Sequence, residues 1–164
     1  SEPAGVLVVF LSTMRSAFFA LVACVVIVAV AANSRCPTSN LLQVKPRQPA
    51  AEFTATAVIN EKFEQVSLTD YRGKWVVLVF YPFDFTFVCP TELVAFSDRA
   101  SEFSDINTKV VAISTDSHHT HLAWIRTKRV DGGLGGMNIP LVADISKEIS
   151  RAYGVLVEDP EDDM

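Results

Sequence analysis

Cys89 stands seven residues after Pro82, three after Thr86 and directly before Pro90. These residue types at this spacing could support nucleophilic thiol chemistry. The thiolate is the reactive form of cysteine, and an ordinary thiol holds only a small fraction of it at neutral pH. The start of a helix offers free N–H groups and partial positive charge, which stabilise a thiolate. Pro90 has no N–H and suits a first helical turn. Thr86 could donate its hydroxyl to the thiolate or to a substrate oxygen. Pro82 would shield the sulfur from water if its ring lay over the site. A cysteine in an apolar loop can also be a buried, inert residue, and these residues alone leave both readings open.

The neighbouring elements would position that cysteine. Trp75–Tyr81 is a continuous apolar run of β-branched and aromatic residues, the pattern of a central strand covered on both faces. Cys89 follows it, and ligand sites in open α/β sheets lie beyond the carboxyl ends of such strands. Leu93, Phe96, Ala100 and Phe103 recur at helical spacing, predicting a helix over 90–104. Residues 53–59 and 63–68 flank Asn60-Glu61-Lys62 and predict a hairpin. Lys109–Ser114 and Pro140–Ala143 read as short strands, 117–128 as a helix, and Ser146–Tyr153 as a helix stopped by Gly154. Strands alternating with helices imply an α/β fold with a mainly parallel sheet.

The run Phe80-Tyr81-Pro82-Phe83-Asp84-Phe85-Thr86-Phe87-Val88-Cys89-Pro90-Thr91-Glu92 closely resembles the active-site sequence of peroxiredoxins, which are thiol peroxidases, and looks like their typical two-cysteine class. Pro82, Thr86 and Cys89 match the Pro-x-x-x-Thr-x-x-Cys pattern. The resemblance extends from about Ala50 to Glu158. It takes in Phe96-Ser97-Asp98-Arg99, Asp116-Ser117-His118, His121-Leu122-Ala123-Trp124, Gly132-Gly133-Leu134-Gly135 and Tyr153-Gly154-Val155.

The resemblance implies a thioredoxin-like fold and a peroxidatic role for Cys89, with Thr86 bonding the peroxide and Pro82 shielding the sulfur. Glu92 would join an arginine network, Trp124 would pack near the pocket, and Tyr81 at the strand end would support the site. It implies no metal or organic cofactor. The substrate would be hydrogen peroxide or an organic hydroperoxide. The Cys89 sulfenic acid would form a disulfide with a resolving thiol, reopened by thioredoxin or a similar dithiol. Homodimers and decamers are the family's assemblies. Its glycine loop goes with over-oxidation sensitivity only beside a C-terminal aromatic motif.

Relatives continue past the position of Glu158 into a strand with an essential arginine, then to the resolving cysteine and a tail helix. Neither Arg126 nor Arg129 lies at the arginine's place. The expectation is therefore an incomplete thioredoxin-like domain over 51–164, with a sheet short of a strand and open at an edge. It would be part of a longer protein or a short isoform. A non-enzymatic, oligomerising or chaperone-like interaction protein is the alternative function.

The N-terminal residues have a different character. Residues 1–34 carry two charges, Glu2 and Arg15, and Ala17–Ala32 is uninterrupted by any polar group beyond the Cys24 thiol. As a helix that run would reach about 24 Å, short of a hydrocarbon core of roughly 30 Å. Met14-Arg15 before it and small residues ending it predict a secretory signal peptide cut near Ala32, within an upstream segment 1–32. The destination would be the endoplasmic reticulum lumen or the exterior, with an uncleaved membrane anchor as the alternative. A mitochondrial presequence would be Arg-rich and amphipathic, unlike this segment. Residues 33–50, with Pro37, Pro46 and Pro49, read as an arm. Cys36 on that arm resembles in placement a subunit-linking cysteine of secreted peroxiredoxins, or it is a free thiol.

Composition narrows the remaining possibilities. Fourteen basic against nineteen acidic residues give a net charge of −5, which argues against a nucleic-acid surface. Three cysteines are too few for a disulfide scaffold. His118 and His121 are helix neighbours and make a metal site conceivable, but no third ligand is evident. The glycine cluster at 132–136 lacks the strand, helix and lysine of a phosphate loop and reads as a mobile loop.

Overall fold

The computed structural model describes residues 6–10, 44, 46–86 and 89–157. The signal-like run, Cys24, Cys36 and the acidic residues from Glu158 onward lie outside the described residues. Within the described residues no helix is long and apolar enough to cross a membrane.

Six strands form one mixed sheet. They are β1 (Val6–Phe10), β2 (Thr54–Ile59), β3 (Lys62–Ser67), β4 (Trp75–Phe80), β5 (Thr108–Ser114) and β6 (Leu141–Ala143). The order across the sheet is β1-β4-β5-β6-β2-β3. From β1 to β6 the neighbours are parallel, and β2 joins β6 and β3 antiparallel. The helices are α1 (Cys89–Asp98), α2 (Ala100–Asp105), α3 (His118–Arg126) and α4 (Glu148–Ala152). This is the α/β arrangement that the alternation of strands and helices predicts, and the thioredoxin-like fold that the resemblance to peroxiredoxins implies.

β4 divides the core. Alternate strand residues point to opposite faces, so Val77 and Val79 join Val110, Ala112, Leu93, Trp124 and Leu141 beneath α1 and α3. Val76, Leu78 and Phe80 join Val111, Ile113, Ile149 and Tyr153 on the face of α4. The register Val77↔Val110, Leu78↔Val111, Val79↔Ala112 aligns these layers. A strand so enclosed needs apolar residues at every covered position, which is why Val76–Phe80 shows no alternation, while Trp75 at the strand start is exposed.

Two sequence expectations are corrected. The hairpin turns on Asn60 and Glu61 alone, with φ of 48° and 59°, and Lys62 already pairs with Ile59. Two consecutive residues of positive φ match the strand twist of a two-residue hairpin. The helix expected over 90–104 is divided at Arg99, where ψ reaches 15°. Phe96 and Phe103 still meet across the break at 5.8 Å between ring centroids, so the apolar stripe survives the bend. On its outer side β4 is paired by β1, from Val6↔Val76 to Phe10↔Phe80.

Candidate active site

β4 ends at Phe80, and the chain turns through residues 81–86 before Cys89 opens α1. The Tyr81 N–H extends the sheet ladder to the Ile113 carbonyl at 3.0 Å. The Pro82 carbonyl accepts the Thr115 hydroxyl at 3.3 Å. The Asp84 N–H donates to Asp116 Oδ2 at 2.7 Å. Phe85 adopts a φ of 56°, and Thr86 donates its hydroxyl to the Phe83 carbonyl at 3.2 Å. Cys89 therefore starts a ten-residue helix beyond the carboxyl end of the central strand. A thiol at a helix start lies at the positive end of the helix dipole, which favours a thiolate.

The other predicted residues distribute around this turn. Glu92 is half-buried in the first turn of α1, and Pro82 is exposed within the turn. Trp124 is fully buried in α3. Its ring lies 6.0 Å from Tyr81 and 5.9 Å from Phe85, and its Nε1–H donates to the Gly132 carbonyl at 3.0 Å. Tyr81 and Trp124 thus come together as the inner wall behind the turn.

The glycine segment, expected as a mobile loop, is instead bonded back to the end of α3. The Leu134, Gly135 and Gly136 N–H groups donate to the carbonyls of Trp124, Thr127 and Ile125. A Cβ on Gly133 would overlap the Thr127 carbonyl oxygen. The cluster lets the chain close over the helix end and bury Leu134.

Sequence reasoning missed Asp84 and His121 as partners. The Tyr81 hydroxyl donates to Asp84 Oδ1 at 2.8 Å, and His121 Nδ1 lies 2.7 Å from Asp84 Oδ2. His121 Nε2 lies 3.2 Å from the Val142 carbonyl. Burial, reinforced by the charge of Asp84, raises the Tyr81 hydroxyl well above the ordinary tyrosine range. The histidine pair weighed for metal binding is divided: His121 points into the core, while His118 packs edge-on against Phe63. Arg126 pairs with Glu61, and Arg129 forms a two-pronged pair with Asp98.

The AhpC/TSA family model matches residues 46–163. The Bos taurus protein named thioredoxin-dependent peroxide reductase, mitochondrial, is 61% identical over 113 residues, covering 69% of this chain and 44% of the relative. Bos taurus peroxiredoxin-2 is 62% identical over 112 residues, covering 68% of this chain and 56% of the relative. The chain spans about half the length of these curated relatives. Among solved structures, a reduced Plasmodium vivax 2-Cys peroxiredoxin matches with a TM-score of 0.65 and 43% identity, over 67% of this chain and 58% of that one. Enterococcus faecalis AhpC matches with a TM-score of 0.63 and 35% identity, over 73% of this chain and 67% of that one. The sheet, the turn before Cys89 and these matches lead to one conclusion: the chain belongs to the AhpC/TSA family.

Proposed function

We propose that this chain carries the peroxidatic half of a thiol peroxidase. The observation that supports it most is Cys89 at the start of α1, following the Pro82/Thr86 turn, in a chain of this family. The Cys89 thiolate attacks the terminal oxygen of a hydroperoxide and the O–O bond breaks. Sulfur is oxidised to the sulfenic acid, and the departing oxygen takes a proton to leave as water or an alcohol. A second thiol then displaces water to form a disulfide. A dithiol of the thioredoxin type reopens it, a role suggested by the bovine relative's name. Thr86 would exchange its bond to Phe83 for one to the peroxide, Pro82 would limit water at the sulfur, and Glu92 and Trp124 would support the site.

Assembly into homodimers or larger rings and a secretory route with cleavage near Ala32 belong to the same proposal, with Cys36 as a subunit cross-link; that cleavage would remove β1 and uncover the outer side of β4. The competing destination is the mitochondrion, named for the bovine relative. Peroxide consumption with thioredoxin, compared between wild type and Cys89→Ser, tests the activity. Turnover that survives the substitution would overturn the assignment. A wild type whose Cys89 takes no sulfenic-acid probe at stoichiometric peroxide would favour the non-enzymatic interaction protein. For the route, the secreted form should begin near Asn33 by mass spectrometry, and an intact, membrane-retained or mitochondrial form would contradict it.

A further inference from the structure

The turn before Cys89 contains a buried polar unit that the peroxide chemistry itself does not require. Tyr81 ends the central strand, Asp84 lies in the turn, His121 is in α3, and Val142 belongs to β6. Tyr81, Asp84 and His121 are 4%, 7% and 0% exposed, and the side chains of Asp84 and His121 are completely buried. A carboxylate in such a place is costly unless each oxygen finds a donor. Here Oδ1 accepts from Tyr81 at 2.8 Å and Oδ2 faces His121 Nδ1 at 2.7 Å. The Val142 carbonyl can only accept, so His121 Nε2, at 3.2 Å, carries a hydrogen. One further proton lies between Asp84 Oδ2 and His121 Nδ1, and whichever atom holds it, the pair is neutral overall. Among the described residues no buried side-chain polar atom lacks a partner.

The turn needs such a restraint. Phe85 has φ of 56°, a left-handed conformation unfavourable for a bulky residue, and it persists only where its surroundings enforce it. Asp84 sits directly before it, held by its side chain to Tyr81 and His121 and by its N–H to Asp116. Thr86 follows directly, and Cys89 three residues later. We infer that Tyr81, Asp84 and His121 are positioning residues that lock the strained turn and so fix how Thr86 and Cys89 are presented to a hydroperoxide. The catalytic part of this inference rests on the peroxidase reading, while the locking of the turn does not.

Three variants of the intact chain test it. Asp84→Asn keeps the shape and can accept from Tyr81 while donating to a neutral His121. Asp84→Leu removes both bonds. Tyr81→Phe removes one hydroxyl and guards against a leucine variant that fails to fold. Amide hydrogen exchange over 83–86 should quicken by about tenfold or more in Asp84→Leu and measurably in Tyr81→Phe, and stay within about threefold in Asp84→Asn. Reaction of Cys89 with hydrogen peroxide should slow in the same order, while alkylation by iodoacetamide changes by less than about threefold. Unchanged exchange in Tyr81→Phe and in any folded Asp84→Leu would overturn the locking. An asparagine variant as damaged as the leucine one would overturn it too. Equal slowing toward peroxide and iodoacetamide would overturn the positioning role. A wild type inert to peroxide would instead refute the peroxidase reading, leaving the exchange result to judge the lock.

Discussion

Thr86 shows what a single hydroxyl can do at this site. It has one proton, presently donated to the Phe83 carbonyl, so bonding a peroxide oxygen requires that proton to turn away from Phe83. Thr86→Val should therefore lower the rate constant for hydrogen peroxide by about 10²–10³, the usual loss when a donor to a developing charge is removed. Thr86→Ser should retain most of it, and stopped-flow fluorescence of the tryptophans can follow both. Much of the candidate site could be proposed from the sequence, because Pro82, Thr86, Cys89 and Glu92 lie within eleven residues and their spacing is local. Asp84 and His121 could not, because their contact joins positions 37 residues apart. A histidine that satisfies a buried carboxylate looks, in sequence, like one that could bind a metal.

At the scale of elements, β4 and β5 were readable because enclosure on both faces demands unbroken apolar runs. The helix break at Arg99 was not, since the apolar spacing of Leu93, Phe96, Ala100 and Phe103 continues through it. Nor was the pairing of β1 with β4, because the apolar character of Val6–Phe10 specifies no partner strand. The glycine cluster illustrates the same limit: composition identified a loop, but only its bonds to the end of α3 reveal a close-packed cap. Gly133→Ala should thus destabilise the domain by about 1–3 kcal/mol, since the methyl group would meet backbone rather than a movable side chain. Urea unfolding would report this as a lower midpoint with little change in slope. Gly132→Ala makes a useful contrast: its Cβ meets nothing, so any loss would come from the left-handed φ of 82°.

For the whole molecule, the two cores on either face of β4 tie the turn before Cys89 to distant chain segments. On the α4 side, Tyr153 packs against Phe80 at 5.5 Å between centroids and donates its hydroxyl to the Ala51 carbonyl at 2.8 Å. Burial pushes this hydroxyl from the ordinary tyrosine value of about 10 up to about 12. The folded state therefore keeps a proton that the unfolded chain releases first. The associated stability is fully present below pH ~10 and is lost as pH rises toward about 12. Tyr81, raised for the same reason, adds to the loss in the same direction. Denaturant unfolding across this alkaline range should show stability falling with pH, and Tyr153→Phe should flatten the fall while lowering stability at neutral pH. An unchanged slope in that variant would remove Tyr153 from the account.

The family fold and the Cys89 turn meet in one claim, that Cys89 is oxidised by a hydroperoxide at its sulfur. The most direct measurement exposes the reduced chain to one equivalent of hydrogen peroxide with a sulfenic-acid-specific dione probe, then locates the adduct by peptide mass spectrometry. The account predicts a peroxide-dependent adduct on Cys89 that disappears in Cys89→Ser. A Cys89 left unlabelled and still alkylatable after that exposure would contradict it.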